Sequence, residues 1–170
     1  MVGDTGPSGG IVFHVSATVI DTVAGVSAGG RYLEAAPNTW NGGASDPRAE
    51  WGCNETLIRG ADGMDVGTGA QNTKDIDTGC TTSGIAADMA INLVFGGQSD
   101  WFLPSLDELD LMYDNLFVKD VGGFDANGYW SSSEHSASNA WLQNFANGSQ
   151  VNYDGFKNRS PYVRPVRAFG

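Results

Sequence analysis

Basic residues are scarce in this chain: 9 Lys and Arg stand against 20 Asp and Glu, a net charge of −11. A surface of that sign repels phosphate backbones and anionic lipid, which argues against nucleic-acid or membrane-surface binding as the main task. No apolar run approaches the roughly 20 residues needed to cross a bilayer, so membrane insertion is not expected. The first residues, Met1-Val2-Gly3-Asp4, have neither the basic nor the apolar region of a signal peptide. Histidine and cysteine are nearly absent. His14, His135, Cys53 and Cys80 lie far apart, without metal-ligand spacing, and no zinc site is expected. Charged residues make up only 17% of the 170 positions while Gly reaches 24, a composition that favours tight turns over long surface helices. The length suits a single domain spanning 1–170, long enough to bury a core without metals.

The acidity is uneven. Residues 1–118 carry 4 basic against 16 acidic side chains, whereas 119–170 carry 5 against 4. Along the chain, Ile11, Phe13 and Val15 alternate as a half-buried first strand, and a second is expected at Tyr32–Ala36, closed by Pro37. About thirty irregular residues follow, with Cys53 and Cys80 bracketing a stretch that needs a pin. Paired, they would stabilise by about 3–4 kcal/mol outside a reducing cytosol; the alternative is two buried thiols. Helices are expected weakly over 70–78 and more clearly over Ile85–Phe95, where Ile85, Met89 and Leu93 recur before Gly96-Gly97. A third is announced by the capping box Ser105-Leu-Asp-Glu108 and runs to about Leu116 with Leu109, Met112, Tyr113 and Leu116 inward. Residues 129–134, 140–145 and 162–167 then read as three strands separated by Asn/Gly turns. Strands, helices and an antiparallel group in that order give an α+β fold.

Catalytic constellations are thin. The Gly3–Gly10 lead-in lacks the Lys-Ser/Thr of a phosphate loop, and Ser131–Ser133 lack a nucleophile-elbow pattern. Asp62–Asp65 and Asp125–Gly128 lack the alternating acidic spacing of a calcium loop and read as turns. The informative segment is 134–162, rich in Asn, Ser, Tyr and Phe and almost uncharged. Rigid aromatics with adaptable amides and hydroxyls are a binding-surface composition, although a solvated β-edge has similar content.

Gly9-Gly-Ile-Val-Phe13, Leu33-Glu-Ala-Ala-Pro37, Trp51-Gly-Cys53, Gly67-Thr-Gly69, Trp101-Phe-Leu-Pro-Ser105, Trp130-Ser-Ser-Ser-Glu134, Ala140-Trp141 and Val163-Arg-Pro-Val-Arg167 resemble the C-terminal domain family of the Legionella collagen-like adhesin. The resemblance covers nearly the whole chain. It implies a C-type-lectin-like fold, with two or three helices flanking a small antiparallel sheet and ligand contact from the C-terminal third. The Glu-Pro-Asn, Gln-Pro-Asp and Trp-Asn-Asp strings of calcium-dependent lectins do not occur, so no metal or cofactor is expected.

The family is also similar to the variable proteins of diversity-generating retroelements, in which adenine-directed mutagenesis rewrites Asn codons. On that resemblance, 1–133 would be scaffold and 134–167 a variable ligand-binding region. Its contact residues would be His135, Ser136, Ser138, Asn139, Leu142, Asn144, Ala146, Ser149, Val151, Asn152, Tyr153, Asp154, Phe156, Asn158, Arg159, Ser160 and Tyr162. Most non-Asn members of this set are reachable from an Asn codon by changing its adenines. Glu134, Trp141, Gln143, Gln150 and Lys157 are not, and would be scaffold, as would Trp101 and Trp130. The expected function is non-enzymatic recognition of a protein or cell-surface glycan at a cell, secreted or virion surface. The alternatives are an invariant structural adhesin domain, or an enzyme similar to the formylglycine-generating enzymes that share the broader fold.

Overall fold

The computed structural model describes residues 1–170 and has an α+β architecture of three helices and two three-stranded antiparallel sheets. The first sheet is ordered β1-β2-β6, with β1 at Ile11–Val23, β2 at Ser27–Ala35 and β6 at Val166–Phe169. The second is ordered β3-β4-β5, with β3 at Gly128–Glu134, β4 at Ala140–Asn144 and β5 at Gln150–Val151. Helices α1 (Gly69–Gly79), α2 (Ala86–Ile91) and α3 (Leu106–Asn115) come between β2 and β3 in sequence. No helix is long and apolar enough to cross a membrane.

Three strand and helix expectations need correction. The first strand runs on to Val23 through an irregular register between Val15 and Ile20, carrying exposed Val19. Helix α2 stops at Ile91, because Phe95 instead pairs with Gln98 in a short bridge. The final strand begins only at Val166, after Pro165, which has no N–H to donate to a ladder, and pairs with β2 rather than with β3 and β4. Tyr162 and Val163 form an extended segment between β3 and residues 47–49. Trp130 N–H donates to the Tyr162 carbonyl at 3.0 Å, Tyr162 N–H to Gly128 at 2.9 Å, and Val163 N–H to Pro47 at 3.0 Å.

Two buried clusters fill the interior. One gathers Trp40, Trp51, Trp101 and Trp130 with the alanine faces of α2. The other packs Phe13, Leu33, Phe102 and Val166 against Leu109 and Met112 of α3 and the capping Leu116, with Tyr113 half-buried beside them. The capping box forms as expected: Glu108 N–H donates to Ser105 Oγ, and Ser105 N–H donates to Glu108 Oε2 at 2.9 Å. The cysteines are joined, Cys53 to Cys80, with Cα atoms 5.8 Å apart. Closing that loop stabilises the fold by about 3–4 kcal/mol on the chain-entropy account.

Glu108 is fully buried and faces Asp21, itself buried at a left-handed backbone position of φ 54°. Asp21 Oδ1 accepts from Ala70 N–H and Glu108 Oε1 from Gly67 N–H, while Asp21 Oδ2 has no donor within the chain. Burial, followed for Glu108 by the Asp21 charge, raises both carboxyls, Glu108 well above its ordinary range. A raised folded pKa means that the contribution is fully present below the unfolded value of about 4 and is lost as pH rises above it. Asp21→Asn supplies the missing donor at a position Asn tolerates. Its stability advantage over the parent is expected to grow between pH 4 and 8, reaching about 1 kcal/mol or more. Thermal melts across that range check this, and a pH-independent difference contradicts it.

Candidate functional site

The outer face of the β3-β4-β5 sheet forms the floor of a cleft of about 290 Å3. Gly128 of β3 lies opposite Asn144 of β4, and Leu142 opposite Val151 of β5. Because Gly128 has no side chain, the floor is deep at that point; a Cβ there would come within 3.3 Å of Leu142 Cδ1. One wall is Arg159-Ser160-Pro161 together with Arg48, and Asn127, Asn147, Ser149, Tyr153 and Asp154 complete the rim.

The walls are held by buried contacts. Asp46 receives Arg164 Nε and Nη2, both at 2.6 Å, the Trp40 indole at 3.1 Å and the Tyr129 hydroxyl at 2.9 Å. Burial pushes the Asp46 carboxyl up, and the guanidinium, hydroxyl and indole offset it. Arg164 also donates to the Ala36, Gly122 and Gly123 carbonyls and lies 3.9 Å over the Phe124 ring. This cluster fixes residues 46–49 against 161–163, which places Arg48 with its guanidinium 4.2 Å over the Tyr162 ring.

A second buried pair fixes the 152–160 loop. Lys157 Nζ reaches Glu134 Oε1 at 2.5 Å and the Thr56 carbonyl at 2.7 Å, and sits 4.6 Å over Trp51. Glu134 also accepts from Ile58 N–H. Burial lowers the Lys157 pKa, and Glu134 counters it. Gly155 lies flush on β4, where a Cβ would stand 2.0 Å from the Ala140 carbonyl. Only Gly permits that approach.

Of the expected contact residues, Leu142, Asn144, Ser149, Val151, Tyr153, Asp154, Arg159 and Ser160 meet at the cleft. Leu142 is chiefly a core residue, 7% exposed, and offers only an edge to the floor. His135 lies just past the other end of β3, seven residues or about 23 Å along the strand from Gly128. There it lines a second depression with Leu57, Arg59 and Asp62. Ser136, Ser138 and Asn139 occupy the β3–β4 turn, where Asn139 Nδ2 donates to the Asn152 carbonyl. Ala146 is exposed between β4 and β5, and Phe156 and Asn158 are exposed but do not line the cleft, the Phe156 ring lying 5.7 Å from the Arg159 guanidinium. Tyr162 is covered by Arg48.

Arg48, Asn127 and Gly128, and Asn147 and Pro161 inside the segment, line the cleft without having been in the expected set. Asn127-Gly128 directly precedes the Tyr129-Trp130 strand, a turn signal that could have placed both at its mouth. Among expected scaffold residues, Glu134, Gln143 and Lys157 are buried, and Gln143 donates to Asp110 and the Gly148 carbonyl. Trp101 and Trp130 are fully buried. Trp141 is half-buried, its ring edge-on to His135 at 5.3 Å, and Gln150 is exposed. Ser131, Ser132 and Ser133 are fully buried, and their hydroxyls donate to the carbonyls of Trp141, Pro104 and Gly63.

Small antiparallel sheets, flanking helices and a cleft framed by long loops are consistent with a C-type-lectin-like fold. The chain belongs to the Lcl C-terminal domain family, whose model matches residues 39–167. No curated protein matches it.

Proposed function

We propose that the chain is a non-enzymatic ligand-recognition domain that presents the surface of residues 135–162 on a C-type-lectin-like scaffold, as the variable protein of a diversity-generating retroelement. Scaffold 1–133 and variable region 134–167 then act as one domain. The observation that carries this reading is a division between neighbouring residues. Positions reachable from Asn codons, among them Tyr153 at 77% exposure, Phe156 at 43%, Asp154, Arg159 and Ser160, face solvent. Of the unreachable residues interleaved with them, Glu134, Gln143 and Lys157 are buried in ion pairs and hydrogen bonds and Trp141 is half-buried; exposed Gln150 and buried Leu142 are the exceptions to the division. A surface divided in this way can change its contacts without changing its supports.

Protein or cell-surface glycan is the expected ligand class, and a disulfide-bonded chain fits a secreted, cell-surface or virion setting. The cysteine-dependent enzyme reading loses its nucleophile, since Cys53 and Cys80 are bonded to each other. Binding to arrays of cell-surface glycans and surface proteins tests the proposal. Tyr153→Ala is expected to weaken any captured ligand by about 1 kcal/mol or more, roughly fivefold, with the melting temperature unchanged. A matching loss of stability would show a structural role instead.

A further inference from the structure

None of the chain's six ion pairs includes Arg48. On the same wall, Arg159 is neutralised by Asp154 at 2.5 Å, and Arg164 and Arg167 are committed to Asp46, Glu34 and Asp100. Arg48 stands on a stack. Its guanidinium covers Tyr162, Tyr162 stacks on Tyr129 at 5.3 Å, and Tyr129 donates to Asp46. The backbone is fixed as well, by the Arg48–Tyr162 bridge and by Ala49 N–H on the Pro161 carbonyl. A guanidinium held by its face in this way keeps its N–H edge free, the fork that matches a carboxylate in two parallel hydrogen bonds.

We propose that the cleft takes the acidic side chain, Asp or Glu, of a partner protein, with Arg48 as its bidentate anchor. This rests on the recognition reading above and names the chemistry of the ligand. The lining is mostly polar, and its few aliphatic contacts, the edge of Leu142, Val151 and Pro161, suit the short methylene stem of such a side chain. Tyr162, the ring at this end, is already covered by the guanidinium and offers no face on which a sugar ring could stack. A polyanion would also meet the field of a chain of net charge −11. A single carboxylate in contact with Arg48 lies well inside the roughly 8 Å over which salt leaves an attraction intact.

A random peptide library displayed on phage and panned against the full, disulfide-bonded chain tests this. Selected peptides are expected to share an Asp or Glu whose change to Asn or Gln weakens binding about tenfold, as loss of a charged hydrogen-bonded pair does. Arg48→Gln should cause the same loss, the two changes together should cost little more than either, and Arg48→Lys should restore part of it. Melting curves of each variant separate lost contact from lost fold. Peptides without an acidic residue that need Tyr153 but ignore Arg48→Gln would overturn the carboxylate proposal and leave the recognition reading standing. Binding that ignores both residues, or no selection at all, would overturn both. Arg48-dependent binding of a uronic-acid oligosaccharide in place of any peptide would overturn the partner class.

Discussion

Asp46→Ala is expected to lower the unfolding free energy by roughly 3–5 kcal/mol, the cost of leaving a buried charge without its partner. Both side chains of the Asp46–Arg164 pair are fully enclosed, and Asp46 is also the acceptor for Trp40 and Tyr129. Its removal strands three donors at once. The carbonyls of Ala36, Gly122 and Gly123 and the ring of Phe124 still face the cation, so the loss falls short of a bare buried charge. Urea denaturation measures it. Arg164→Met combined with Asp46→Ala should recover part of the stability, since the apolar replacement leaves no charge uncompensated. A single-variant loss below about 1 kcal/mol would mean that water reaches the pair. Because this cluster fixes residues 46–49, Asp46→Ala should also displace Arg48 from the cleft wall.

Lys157→Met is expected to cost about 3 kcal/mol or more, for the same reason, by leaving the buried Glu134 carboxyl without its cation and with Ile58 N–H as its remaining donor. The effect should be local as well as global. Lys157 is the only buried charged residue of the 152–160 loop, and hydrogen exchange in that loop should accelerate along with the loss in urea midpoint. Adding Glu134→Gln should restore most of the stability, because an amide can occupy the site without a charge. If the double variant is as unstable as the single one, the Lys157 stem over Trp51, and not the ion pair, supports the loop.

Features set by local chemistry were legible in the sequence. The Ser105–Glu108 box carries its own donors and acceptors, and helix α3 begins where it predicts. Lys157 and Glu134, scaffold on the resemblance alone, are buried as a pair, which no local pattern announces. Partnerships over long distance were not legible. Val163–Arg167 reads as a strand, but whether it joins β2 or β3 depends on the path of the chain between them. Arg48 precedes Tyr162 by more than a hundred residues and has no pattern of its own; only the extended 161–163 segment, clamped by Arg164 on Asp46, brings it to the cleft. The expected contact residues divide between two places, because His135 and Asn144 sit at opposite ends of one hairpin.

The most direct measurement is to sequence the source locus across a population and align the codons for residues 130–168. The account predicts differences concentrated at exposed positions such as Tyr153, Asp154, Phe156, Arg159 and Ser160. Glu134, Gln143 and Lys157 should be unchanged, with a near-copy of the segment and a reverse transcriptase gene nearby. An invariant segment, or differences spread equally over the buried supports, would contradict it.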